Sequence, residues 1–297
     1  MNRRKVEGFI FKNISYAAVT LTLVILFFIL GRITWEAIPS LSLENIFTSE
    51  SESKGFGGGL ANAIVGTIIL SLGSTLLATP FAVGTAIYLK KYAKKGRIVS
   101  FFSFMLDVMS GTPSIVLGIF GLLFLVYILR TVTGGFSMIS GIIALAILIL
   151  PVLERATEVA IDTVPHELEH ASYALGANKW ETIRHITIPY ALNGILTGFV
   201  LSVGRAAEES AVVILTAGYS QFMPEFKIAA SDKLIFGVKV YPFQDLIAAL
   251  PITVYHAFEF PHMVDRSESF AAAFVLIAIV MILNALARFF VWRRRIG

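Results

Sequence analysis

The chain has 297 residues, 56% of them hydrophobic and 15% charged, with a mean hydropathy of +0.79; a soluble domain of this length carries about 25% charged residues, so that class is excluded. The net charge of +4 comes from short basic clusters beside apolar runs, not from a basic face with interleaved aromatics, which argues against a nucleic-acid partner. There is no cysteine, and this excludes disulfides, thiolate chemistry and Cys-based metal sites.

Apolar runs at 14–38, 60–89, 100–129, 137–155, 190–217 and 269–291 predict an all-α membrane protein with six membrane-spanning helices. The first run follows a basic start but has no small-residue cleavage site behind it, so it reads as a retained helix and not a signal peptide. Gly55, Gly57, Gly58 and Gly59 predict a flexible lead into the second span. Pro80 lies inside that span and Pro113 inside the third. Around Pro113 the sequence Ser110-Gly111-Thr112-Pro113-Ser114 predicts a kink or break, because proline removes a donor and glycine loosens the turn. Broken helices offer backbone N–H groups and hydroxyls to transported solutes, which makes Ser110, Thr112 and Ser114 candidate path residues. Close helix packing through small residues explains the same composition equally well.

Lys and Arg in the short loops set the orientation. They cluster at Arg3, Arg4, Lys5 and Lys12, at Lys90, Lys91, Lys94, Lys95 and Arg97, and at Arg288, Arg293, Arg294 and Arg295. The 39–58 loop has only Lys54, against Glu44, Glu50 and Glu52. Six crossings then place both termini and the 90–98 loop in the cytoplasm. The 153–189 segment departs from this pattern, with Arg155, Lys179 and Arg184 against six acidic residues, and is expected to dock a partner. The loop at 218–268 falls outside and holds an apolar stretch, Phe243–Phe258, expected to form a short helix at the membrane interface. The expected organisation is a first helix and outer loop over 1–59, a transmembrane core over 60–292 with a docking loop at 156–189, and a short cytoplasmic tail at 293–297.

Within the docking loop, Asp162–Pro189 predicts two short helices. Asp162 or Thr163 can cap the first, Pro165 suits its first turn, and Gly176 suits the left-handed residue after its end. A second helix is expected from about Asn178 to Ile186. Leu168, Ala171, Ser172 and Leu175 fall on one face, a small-residue knob for a partner groove. His166-Glu167-Leu168-Glu169-His170 also satisfies H-E-x-x-H, which on a helix can hold zinc. Position 173 is Tyr, so the extended metzincin pattern fails, and no further acidic motif supplies a third ligand. An intramembrane zinc protease using His166, Glu167 and His170 is therefore the enzyme-class alternative to transport. A transporter driven by an ion gradient alone is another.

In the fifth run, Arg205, Glu208 and Glu209 lie about 24–30 Å along the helix from Pro189. A charge exposed to lipid at the centre of a span costs about 2.5–3.5 kcal/mol, so these groups are expected to face the bundle interior or a watered path. Arg205 stands three residues before Glu208 and four before Glu209, so they share a helix face and can pair. One reading is an oxyanion site, in which the guanidinium fork binds two oxygens and a carboxylate accepts the proton of a hydrogenphosphate. The other is a structural salt bridge between helices.

Four stretches resemble the PstA-type permease family of phosphate ABC importers, which has the MetI-like fold. They are Phe81-Ala82-Val83-Gly84-Thr85-Ala86-Ile87-Tyr88-Leu89, Gly111-Thr112-Pro113-Ser114-Ile115-Val116-Leu117-Gly118, Leu150-Pro151, and Arg205-Ala206-Ala207-Glu208-Glu209-Ser210 followed by Leu215-Thr216-Ala217. The docking loop is similar to the family's Glu-Ala-Ala signature, matched by His170, Ala171, Ser172, then Gly176, then Ile186, Ile188 and Pro189, with His in place of Glu, Ser of Ala and Ile of Leu. The resemblance covers about 60–292. It implies phosphate as substrate, Arg205 and Glu209 on its path, and a coupling helix that docks an ATPase through His170, Ala171, Ser172, Leu175 and Gly176. Phosphonate, sulfate and molybdate permeases share the fold, and the extra Glu208 departs from the pattern. The implied partners are a homologous PstC-type permease, a PstB-type ATPase dimer and an external PstS-type phosphate-binding protein. No G-x-x-x-x-G-K-[ST] loop occurs, so no cofactor is expected on this chain, and ATP and Mg are expected on the ATPase.

Overall fold

The computed structural model describes residues 3–53, 57–94, 96–231, 234 and 238–296. Lys54, Gly55 and Lys95 lie outside the described residues, as do the side chains of Arg3, Arg4, Lys5, Arg293, Arg294 and Arg295.

A long helix α1 (Arg3–Ala37) leads through a 3-10 turn and the short α2 (Leu43–Phe47) to α3 (Ala61–Ile87). A π turn then carries the chain to Tyr92. Next come α4 (Arg97–Gly111), α5 (Ser114–Gly121) with a π continuation to Ile128, and the single turn α6 (Arg130–Thr133). The helix α7 (Met138–Asp162) precedes the short α8 (His166–Ala174) and α9 (Lys179–Thr182), whose π extension runs into α10 (Ile188–Ala207). After α11 (Ala211–Thr216) the chain forms an antiparallel hairpin, β1 (Lys227–Ala230) with β2 (Val238–Tyr241), in which Lys227 faces Tyr241. Two single turns, α12 (Leu250–Thr253) and α13 (His256–Glu259), lead to α14 (Arg266–Ile296).

Among the described residues, five helical segments are long and apolar enough to cross a membrane, and α4 with α5 makes a sixth if taken as one span bent by 100°. The bend falls at the predicted Gly111–Pro113 break. There Thr112 and Pro113 are extended, and the Thr112 hydroxyl donates back to the Val108 carbonyl at 2.7 Å.

The centre of the bundle is α3 against α7, and α10 packs on both. Small residues set these approaches. A Cβ at Gly194 would lie 2.5 Å from that of Ala160, and one at Gly198 would lie 2.6 Å from that of Ala156. The main core gathers Leu70, Leu145, Ile149, Val212, Val213 and Ile252. At one end of the bundle the turn after α3, the end of α7, α8 and α9 come together; at the other lie the 40–60 loop, α6, the hairpin, α12 and α13.

Three expectations are corrected. The fifth run is not one helix, because α10 stops at Ala207 and α11 starts at Ala211. The Phe243–Phe258 stretch is not one short helix but holds two single turns, α12 and α13; Ile247, Leu250 and His256 are buried in the hairpin end, with α12 packed on α3 and α14. Gly57, Gly58 and Gly59 are buried, and the site of a Cβ on Gly59 lies 2.5 Å from the Thr48 carbonyl, so the lead into α3 is packed instead of loose.

Candidate functional site

Arg155 and Arg205 sit within the spans at different levels. The contacts Gly194–Ala160 and Gly198–Ala156 fix the antiparallel register of α10 on α7 and place Arg155 level with residue 199. Arg205 lies six residues further along α10, about 9 Å nearer the hairpin end. It occupies the last turn of α10, is exposed, and makes no ion pair among the described residues. The break after Ala207 separates it from its expected partner. Glu209 turns instead to the start of α11, where its Oε1 accepts from the N–H groups of Ala211 at 3.1 Å and Val212 at 3.3 Å. That satisfies donors a helix start leaves open. Glu208 ends α10 and is exposed beside Arg205. Ser110 is exposed and Thr112 and Ser114 half-buried at the α4–α5 bend. Thr112 spends its hydroxyl hydrogen within α4.

Arg155 is the residue that the hydropathy pattern placed in a loop. The apolar run ends at 155, but α7 continues for two further turns to Asp162, held by the buried face Leu153, Thr157, Ala160 and Ile161. Arg155 therefore lies inside a span, on an open groove of about 890 Å³ that Tyr190, Asn193, Gly194 and Thr197 also line. Its Nη1 donates to Glu158 Oε2 at 2.6 Å and its Nη2 to Asp107 Oδ1 at 2.8 Å. Glu154 Oε2 is 4.0 Å from its Nε, and that carboxylate is fully buried with no hydrogen-bond partner on either oxygen among the described residues. The legible signal was Arg155-Ala-Thr-Glu158, a charge pair at helical spacing just past Pro151.

At the α8 end, Pro165 precedes α8, and neither Asp162 nor Thr163 caps it. Asp162 pairs with Lys90 at 2.7 Å, and Thr163 donates to the Ala160 carbonyl. Gly176 takes the expected left-handed conformation, φ +88°, and Asn178 opens α9 with a reciprocal cap to Glu181. His170, Ala171 and Leu175 are exposed, Leu175 at 91%, whereas Ser172 is turned inward onto the Thr182 hydroxyl at 2.9 Å. Tyr173 and Trp180 extend the exposed apolar surface. Glu169, the neighbour of the histidine that stands in place of the motif glutamate, points inward. It takes Lys91 Nζ at 2.6 Å and the Thr187 hydroxyl at 2.6 Å. Burial alone would raise its carboxyl, but these two donors outweigh burial and hold it below the usual carboxylate range.

The hairpin end carries a buried polar group of its own. Glu50 accepts from the Tyr219 hydroxyl, and the Tyr219 ring meets that of His256 edge-on at 4.6 Å between centroids. Burial pushes the Glu50 carboxyl up to about 7, against hydrogen bonds from Tyr219 and Gly57, and Glu268 adds to the rise. Burial also raises the Tyr219 phenol and brings His256 down to about 4. On α8, His166 and His170 are exposed, and no group of three or more His, Asp or Glu able to share a metal occurs among the described residues.

Residues 78–296 match the model of the binding-protein-dependent transport system inner-membrane component family. A curated relative from Pasteurella multocida (strain Pm70), a phosphate transport system permease protein PstA, is 31% identical over 97% of this chain and 95% of its own length. The chain belongs to the PstA family of these permeases. A second PstA-family relative, PstA 1 of Mycobacterium tuberculosis (strain CDC 1551 / Oshkosh), is 36% identical over 81% of this chain and 74% of its own. The fold also matches a bacterial ABC transporter involved in import of the acidic polysaccharide alginate, with a TM-score of 0.63, 14% identity, and coverage of 97% of this chain and 99% of that one. A PstA-family chain is an inner-membrane permease subunit and not an enzyme, so the zinc-protease alternative is set aside. Its importer works with ATPase and binding-protein partners.

Proposed function

We propose that this chain forms half of the translocation path of an ATP-driven importer of inorganic phosphate. Arg205 carries the reading. It is a guanidinium held in the last turn of a span, without an ion pair among the described residues, where an unused charge calls for a ligand. The adjacent Glu208 can accept a phosphate hydroxyl proton, which a fully ionised oxyanion such as sulfate does not have. Phosphate arriving from the hairpin end meets Arg205 first and the groove at Arg155 about 9 Å deeper. Ser110, Thr112 and Ser114 border the path at the α4–α5 bend.

The exposed knob of Leu168, Ala171 and Leu175 is the docking surface for a PstB-type ATPase, which binds ATP and Mg. His170 and Gly176 lie at its edge, and Ser172 braces it from behind. A PstC-type permease supplies the other half of the path, and a PstS-type protein delivers phosphate over the hairpin. In this orientation both termini, the turn after α3, and α8 are cytoplasmic. The clusters at Lys90–Arg97 and near Arg288 support that placement.

Arg205→Ala should lower phosphate uptake by cells lacking the native permease at least about 100-fold, the value of two charge-assisted hydrogen bonds. Co-purification of the partner subunits should be unchanged. Normal uptake by that variant would remove Arg205 from the path.

A further inference from the structure

The groove beside α7 holds an arginine whose two Nη nitrogens already donate to carboxylates. Two of the carboxylates around Arg155 stand on its own helix, Glu158 bonded to Nη1 and Glu154 near Nε. The third, Asp107, belongs to α4 and takes Nη2 at 2.8 Å, while the Ser103 carbonyl one turn earlier accepts from the same Nη2 at 3.3 Å. The helix α4 is weakly held: Leu106 is its one buried residue, and Asp107 is 68% exposed. Among the described residues, the hydrogen bonds that join α4 to α7 all end on Arg155.

Asp107 therefore presents to a guanidinium what a tetrahedral oxyanion would present, an anionic oxygen on a planar fork, and it does so from a helix with little else to keep it in place. We propose that Asp107 is a built-in stand-in for the substrate anion. An oxyanion reaching the groove takes the Nη2 donor, Asp107 leaves, and α4 is released from α7. The exchange is anion for anion, so Arg155 is never left as an uncompensated charge inside the protein. Glu158 stays in place to accept a phosphate hydroxyl. The release is felt at the docking end, because α4 begins just beyond the turn whose Lys90 and Lys91 are tied to Asp162 and Glu169. Substrate occupancy and the position of the docking end are then linked through one side chain. The latch rests on the phosphate reading above, and its test separates the two.

The test is equilibrium binding of radiolabelled phosphate to the detergent-purified importer with all its subunits. Asp107→Asn removes the competing anion and should tighten phosphate binding about ten-fold, as for a site that is free only about a tenth of the time. Asp107→Glu, which keeps the charge, should bind like the parent. Unchanged or weaker binding by Asp107→Asn, the result for a bridge that only supports the fold, would overturn the latch. If Asp107→Asn does not assemble, a cysteine at Phe104 on the same helix decides, since this chain has no other thiol. Its labelling rate should change when phosphate is added, and an unchanged rate would sink the proposal. If neither parent nor variant binds phosphate while both bind sulfate, the phosphate reading falls, and the same affinity ratio measured on sulfate settles the latch.

Discussion

The two ends of the bundle are fastened by different chemistry. At the α8 end the ties are ion pairs between segments far apart in sequence: Lys90 to Asp162, Lys91 to Glu169, and the Lys179 ammonium over the Tyr92 ring at 4.9 Å. At the hairpin end they are a buried carboxylate, phenol and imidazole under packed loops, together with backbone bonds such as Met138 N–H to the Asp245 carbonyl at 2.8 Å. An ion pair near water, such as Lys90–Asp162, can be remade with new partners at small cost, while the mostly buried Lys91–Glu169 pair and a buried hydrogen-bonded group such as Glu50 resist rearrangement. The α8 end thus joins an exchangeable charged tie to a firm one, and the hairpin end is firm through buried hydrogen bonds.

The largest effect should come from Glu169→Ala. Lys91 and Glu169 are 14% and 11% exposed, so the variant leaves an almost buried ammonium unpaired, which costs about 3 kcal/mol. Thermal unfolding of the purified protein should shift down, and uptake should fall further than ATPase docking. Reversing both charges, Lys91→Glu with Glu169→Lys, should restore part of the loss. An unaltered melting temperature in Glu169→Ala would mean the α8 end is held by something other than its ion pairs.

Glu50→Gln tests the opposite end through pH. With its folded value near 7 against an ordinary 4.5, Glu50 holds its proton more tightly folded than unfolded, so its contribution to stability falls as pH rises from about 4.5 to about 7. The full swing is up to about 3 kcal/mol. His256 runs the other way: its folded value near 4 lies below 6.5, so unfolding takes up a proton and stability rises between those pH values. The two trends oppose each other in the parent. In Glu50→Gln only the rising one remains, so the melting temperature should climb from pH 4.5 to 6.5 and exceed the parent's at pH 8. A variant tracking the parent across that range would show that Glu50 is not the titrating group.

The smallest effect is expected of Lys239→Ala. Its pair with Asp245 at 3.2 Å is partly exposed, and Lys239 also lies over the Tyr241 ring at 4.3 Å. A loss below about 1 kcal/mol, shrinking further in salt, is the outcome consistent with a surface pair. A loss as large as that of Glu169→Ala would erase the contrast between the two ends.

Much of this architecture was legible in residues with one physical meaning. Gly111 and Pro113 announced the α4–α5 bend, Gly176 the left-handed end of α8, and Asn178 the start of α9. The separation of α10 from α11 was not legible. No glycine or proline lies between 205 and 217, and the break depends on Glu209 turning its carboxylate onto the next helix start. Arg155 was missed for a related reason. Hydropathy falls at 155 although the helix goes on, because its buried face there is made partly of Glu154, Thr157 and Glu158. A window average registers their polarity and not the partners that two of them find, Arg155 for Glu158 and the Leu153 carbonyl for Thr157.

The exposure of α1 bears on how the protein is made. Residues 8–29 are exposed, the end of the helix near Ala37 packs on α14, and the most apolar window of that span, with hydropathy 2.4, has none of its residues buried. By contrast, 61% of the corresponding window in α7 is buried. A stretch that faces outward over residues 8–29 needs no neighbour to be stable in a bilayer. A helix carrying Glu154, Arg155 and Glu158 has no such freedom, because Arg155 meets Asp107 only once α7 stands beside α4, the helix made before it. The apolar helix can thus enter the membrane by itself, and the charged one only against a helix already there.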